Sequence, residues 1–141
     1  MPPESPSADS WNRFADGGRA LLVGAGVIAP LWRKDYRTSF NGLTAILATS
    51  AASKTIKLFW SERRPNGQNE KSFPSQHAGD CFAAAATLDR EWSKGIGPLA
   101  IGLATAVSAA RVFSGKHHVA DVVAGAALGV IAAELTADYR S

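Results

Sequence analysis

At 141 residues and a net charge of +3, the chain is long enough for one domain with a real core and short for two. Its Lys and Arg residues are scattered rather than massed on one stripe, which argues against a nucleic-acid-binding protein and suits a small anionic substrate. The hydrophobic fraction of 46% sits in Ala, Gly, Leu and Val runs with little strand-type alternation, so helices are predicted throughout.

Residues 1–17 are rich in Pro, Ser and acidic side chains and lack the basic start of a secretory signal. They are expected to be loosely ordered, or a short helix, ahead of a single domain over 18–141. A first helix is predicted over Gly18 to Trp32, ending near Pro30, and a second from about Ser39, as N-cap, to about Trp60. The stretch 61–75 holds Pro65, Asn66, Gly67 and Pro74 and reads as a polar loop. Three more helices follow, over about Ser75 to Arg90, Ile96 to Val112 and Val119 to Ala137, with Gly115 separating the last two. The single Cys81 lies in an apolar run and is expected to be a buried, inert thiol.

Charge-free runs occur at Ala20 to Trp32, Thr38 to Ser53, Gly95 to Ala110 and Val122 to Ala133. Each falls short of the roughly 18 residues of a confident spanning helix. Arg33, Lys34, Lys54, Lys57 and Lys94 stand at run ends, where their stems can snorkel, and Trp32 and Trp60 are placed like interfacial anchors. A soluble bundle with Ala-rich buried helices fits the same pattern, so hydropathy alone leaves the membrane question open.

Short connections make successive helices antiparallel neighbours, which predicts an all-α, up-and-down bundle of about five helices. In such a bundle Lys57, Arg64, Ser75, His77, Arg111, His117 and Asp121 all fall at one end and share one pocket. Lys57 and Arg64 are about two helical turns apart, and Pro65 pushes Arg64 out of helical geometry and inward. With Arg111 they put three cations around two histidines, a balance that suits phosphate or a similar oxyanion and disfavours a metal ion. The start of the third helix adds backbone N–H groups and a positive dipole end beside the Ser75 hydroxyl. His117 and Asp121 are four apart, so on a helix the carboxylate can accept the imidazole N–H and leave the other ring nitrogen free. Phosphate held there faces His117 as a nucleophile, with His77 as general acid for the leaving oxygen. Taken singly, each residue has a plainer reading: a solvated lysine, a helix start with its N-cap, a packed core histidine, a helix-capping arginine. A zinc site of His117 and His118 with Asp80 or Asp121 shows no close fourth ligand.

Lys57 followed by six residues and Arg64-Pro65, then Pro74-Ser75-Gln76-His77, then Arg111, five residues, His117, three residues and Asp121 resembles a known three-part signature. It is similar to that of the type 2 phosphatidic acid phosphatase (PAP2) and vanadium haloperoxidase superfamily. Phe73 before the second part and Ala124-Gly125 after the third also resemble its small bacterial members. The resemblance implies a helical bundle with its active site at one end and dephosphorylation without metal or other cofactor. His117 would form a phosphohistidine, His77 would act as general acid and Asp121 would orient His117. Lys57, Arg64, Ser75, Arg111 and the backbone N–H of Gln76 would bind phosphate. Two positions depart from the pattern: Gln76 stands where the family usually has Gly, and Ala110 where Ser usually precedes the arginine. Neither departure removes a catalytic group.

The implied protein is a membrane-bound phosphatase of a lipid phosphate monoester or pyrophosphate, in the cell inner membrane, with its site facing the periplasm or exterior. A soluble periplasmic acid phosphatase is the nearest alternative, favoured by Asp80 within the short apolar part of the third helix. A vanadate-dependent haloperoxidase and a non-catalytic helical membrane protein are the more distant ones. His118 has no assigned role and is expected to line the pocket entrance.

Overall fold

The computed structural model of the chain describes residues 5–92 and 95–137; residues 1–4 and Lys94 lie outside them. It contains five helices, α1 (Pro6–Trp32), α2 (Tyr36–Phe59), α3 (Gln76–Glu91), α4 (Ile96–Phe113) and α5 (Val119–Thr136). Among the described residues the only strand-type pairing is an isolated bridge between Glu62 and Lys71 in the long loop. The expected all-α bundle and its helix count are what the structure has.

Two helix starts differ from expectation. α1 begins at Pro6, so residues 6–17 are part of one continuous helix rather than a loose segment or a separate short helix. The Ser5 side chain accepts from the Ala8 N–H at 3.1 Å, and Pro6 stands at the first helical position, where its missing N–H costs nothing. α2 begins at Tyr36 with Asp35 as its cap, the carboxylate accepting from the Thr38 N–H at 3.1 Å. Ser39, expected as the cap, lies inside α2 and donates its hydroxyl to the Val27 carbonyl of α1 at 2.5 Å.

The packing is centred on α3, which touches all four other helices, whereas α4 and α5 barely meet although they are consecutive. The expectation that every successive pair packs side by side therefore fails at α4 and α5. α3 is short and lined by small buried residues, among them Ala78, Gly79, Ala83, Ala84 and Ala85, so larger helices approach its backbone closely. The tightest approach is from α5, where a side chain at Gly125 would collide with the Ser75 carbonyl and one at Gly129 with the Gly79 carbonyl. This Gly-x-x-x-Gly face lets α3 and α5 meet backbone to backbone, and it brings the starts of both helices together.

The outside of the bundle is unusually apolar. Trp32 (87%), Phe59 (86%) and Leu135 (80%) are largely exposed, and Leu21, Ile28, Phe40, Leu47, Leu99 and Ile131 are exposed along the outer faces. α1, α4 and α5 are each long and apolar enough to cross a membrane. The charge-free runs understate this because the helices continue past them. Cys81 is fully buried as a free thiol.

Candidate active site

Lys57 sits in the last turn of α2, and its ammonium donates to the Pro74 carbonyl in the segment leading into α3. Beyond it the long loop folds onto the α4–α5 turn. The Asn66 N–H bonds the Gly115 carbonyl at 2.9 Å, and Arg64 donates through Nη1 to the Lys116 carbonyl at 3.5 Å. Ser75 caps α3, its hydroxyl accepting from the Ala78 N–H at 3.2 Å. Its own N–H donates to the Asp121 carbonyl at 3.0 Å, which ties the start of α3 to the first turn of α5. Arg111 stands in the last turn of α4.

These local ties gather Lys57, Arg64, Gln76, His77, Arg111 and His117 around one cavity of about 190 Å³. Ser75 and Asp121 are fully buried and are not among its lining residues. The Gln76 side chain donates to the Ser50 hydroxyl at 3.3 Å, so the longer residue at this position is drawn toward α2. Ala110 is wholly buried in the core.

The His117 ring is 2% exposed. Its Nδ1 donates to the Ser72 carbonyl at 2.6 Å. A carbonyl can only accept, so Nδ1 carries the proton and Nε2 keeps its lone pair. The expected direct bond to Asp121 is absent, since that carboxylate lies 3.8 Å from Nδ1. Asp121 instead accepts from the Ser72 hydroxyl and from the His118 N–H at 2.7 Å. The helical premise fails at this point because His118 is the extended N-cap of α5 and His117 precedes the helix. Asp121 therefore holds the Ser72 segment, and the Ser72 carbonyl holds the ring. His118, expected at the pocket entrance, is not among the residues lining the cavity; it is partly exposed, with Nδ1 3.3 Å from Glu62 Oε1 and 3.2 Å from Asp121 Oδ2.

The sequence reading missed three residues from α1. Arg19 lines the same cavity and is held by the buried Asp80 carboxylate, with Nε 2.9 Å from Oδ2. The Ser50 hydroxyl donates to the other Asp80 oxygen at 3.0 Å. Asp16 accepts from His77 Nε2 at 2.7 Å, and Asn12 accepts from Arg111 Nη1 at 3.2 Å. Asn12, Asp16 and Arg19 are spaced by four and three, one face of a helix. That signal was available, but it is visible only if the helix starts before Gly18.

Burial, reinforced by the nearby Arg111 and Arg64 guanidinium groups, lowers the His117 pKa to about 3 and keeps the ring neutral. His77, in the first turn of α3, is lowered to about 4 by burial and Arg111, with the Asp16 hydrogen bond opposing the shift. Burial and then Arg64 lower Lys57 to about 8. The cavity is thus a cationic cradle around two neutral imidazoles. Among the described residues, Glu62, His118 and Asp121 are the group whose donor atoms lie close enough, within 4.8 Å of one another, to share a metal ion. Asp80, considered as a ligand with the histidines, is occupied by Arg19 and Ser50.

No curated protein matches the chain. Among solved structures, the chain is similar to that of Aquifex aeolicus LpxE, with a TM-score of 0.79 at 21% sequence identity, over 92% of this chain and 84% of that one. At this identity the likeness speaks for the fold. The sequence model of the PAP2 superfamily matches residues 39–140, which takes in nearly all of α2, all of α3 to α5 and every signature residue of the cavity, and the chain belongs to this superfamily.

Proposed function

We propose that the protein is a metal-independent phosphatase that hydrolyses a lipid phosphate monoester or pyrophosphate through a phosphohistidine on His117. The observation that carries this reading is the neutral, anchored His117 ring in a cavity lined by Lys57, Arg64 and Arg111. These cations and the backbone N–H groups at the start of α3, Gln76 among them, hold the phosphoryl oxygens and meet the charge that grows in the transition state. His117 Nε2 attacks phosphorus in line as the bond to the leaving oxygen breaks. His77, protonated once the substrate's negative charge offsets the surrounding cations, gives its Nδ1 proton to that oxygen, since Nε2 is bonded to Asp16. Water then attacks the phosphohistidine with His77 taking its proton, which releases phosphate and restores both rings.

The lipid assignment rests on the apolar outer faces of the bundle and on its three long apolar helices. With these helices in a bilayer, the cavity lies where the chain ends of the bundle meet water, within reach of a headgroup phosphate. Hydrolysis of a chromogenic phosphate monoester should survive EDTA and vanish in His117→Ala. The native enzyme should yield an acid-labile, base-stable phosphoprotein. Loss of activity with EDTA, or full activity in His117→Ala, overturns the mechanism. Recovery of the protein in the supernatant of a detergent-free lysate overturns the membrane assignment.

A further inference from the structure

His77 stands among cations. Arg19 of α1, Lys57 of α2, Arg64 of the long loop and Arg111 of α4 line its cavity together with His117. A general acid must carry a proton when the leaving oxygen departs, and this surrounding opposes protonation. One carboxylate bonds the ring, and it comes from outside the part of the chain that carries the family signature. Asp16 Oδ1 lies 2.7 Å from His77 Nε2, with the His77 side chain 16% and the Asp16 side chain 67% exposed. The other nearby carboxylate, Asp80 in the next turn of α3, is directed to Arg19 and Ser50. Asp121 is engaged by Ser72 and His118.

We infer that Asp16 is a positioning residue for the leaving-group step: it orients the His77 ring and acts as the counter-charge of its imidazolium, so that α1 is part of the catalytic apparatus. The inference rests on the phosphatase reading, with His77 as the acid. A carboxylate bonded to one imidazole nitrogen fixes the ring and stabilises the imidazolium without itself taking the proton. Substrate phosphate adds negative charge to the cradle and offsets the arginines, and Asp16 completes the balance from the open side. In the step itself the P–O bond breaks, the bond from phosphorus to His117 Nε2 forms, and the His77 proton ends on the leaving oxygen. The placement is compatible with the local structure, because Asp16 lies one turn from Asn12 and nearly one from Arg19 on the face of α1 that meets the cavity. Asp16 is mostly solvent-exposed, which moderates its effect through screening.

Leaving-group dependence separates this role from a structural one. A nitrophenolate leaves without help, whereas an alkoxide needs the proton. kcat/KM is compared for p-nitrophenyl phosphate and a short alkyl phosphate in the full chain and in Asp16→Asn and Asp16→Glu. Asp16→Asn is expected to lower kcat/KM on the alkyl phosphate roughly tenfold, a part of the roughly 100-fold or more that general-acid catalysis contributes, and to change the nitrophenyl value less than about twofold. Asp16→Glu should recover most of the loss. On the alkyl phosphate, the alkaline limb of the Asp16→Asn profile should move to lower pH. Equal losses on both substrates, or no loss on either, overturn the inference. Failure of the unaltered protein to hydrolyse p-nitrophenyl phosphate would instead overturn the phosphatase reading itself.

Discussion

His117 Nδ1 donates to the Ser72 backbone carbonyl at 2.6 Å, and the Ser72 hydroxyl donates to the Asp121 carboxylate. One residue of the long loop thus stands between the proposed nucleophile and the carboxylate that the sequence pairs with it. The carbonyl sets the tautomer, and the side chain fixes the carbonyl.

This relay separates two substitutions. Asp121→Asn keeps size and one acceptor oxygen but removes the charge, which weakens the hold on the Ser72 segment behind the ring. It is expected to lower kcat by about 100-fold with little change in KM, since orientation rather than phosphate binding is disturbed. Ser72→Ala keeps the carbonyl and removes only the hydroxyl, so its kcat should fall by less, on the order of tenfold. Steady-state kinetics on a chromogenic phosphate check both, and an unchanged kcat in Asp121→Asn refutes the relay.

Arg111 lies beside both histidines and lines the cradle. Arg111→Ala should weaken binding of phosphate or vanadate by about tenfold or more, measured as competitive inhibition or by calorimetry. Arg111→Lys should recover only part, because a point charge replaces a planar fork.

The histidine shifts give a pH dependence of stability. His77 and His117 have folded pKa values of about 4 and about 3, below the ordinary value of 6.5. The unfolded chain therefore binds more protons than the folded one as pH falls, and both histidines favour unfolding on acidification. Their contribution to stability is fully present above about pH 6.5 and is lost progressively as pH falls toward 3. Thermal denaturation in detergent should show Tm falling across this window. His117→Gln should flatten part of the fall, and added vanadate should raise Tm by mass action.

Gly125 and Gly129 test the α3–α5 contact. A methyl group at Gly125 would meet the Ser75 carbonyl and the Ala78 side chain, and one at Gly129 would meet the Gly79 carbonyl. Gly129→Leu should cost about 3 kcal/mol or prevent folding. Gly125→Ala is smaller and lies beside the cap of α3, so it should reduce activity more than stability. Equal activity and stability in Gly125→Ala would show that the helices can separate without penalty.

Much of the candidate site was legible in the sequence. The spacing from Lys57 to Arg64, the Pro74 to His77 run and the spacing from Arg111 to His117 depend on local chain geometry and on the bundle rule that brings alternate helix ends together. The contribution of α1 was not legible, because Pro, Ser and acidic residues in 1–17 read as loose chain although they include a good cap, Ser5, and a proline where a helix tolerates it. The Asp121 contact was misread for a different reason. Helical spacing describes residues inside a helix, and His117 stands just before one.

The sequence by itself determined the helical bundle, the cationic character of the end that carries the candidate site and the identity of most groups there, because these follow from periodicity, charge and short-range spacing. Only the tertiary structure decided which helix is central, that α1 brings Arg19 to the cavity and Asp16 to the His77 ring, and that Ser72 rather than Asp121 holds the His117 ring. Those outcomes depend on contacts between distant segments, and they were set by how closely the small residues of α3 and the glycines of α5 allow backbones to approach.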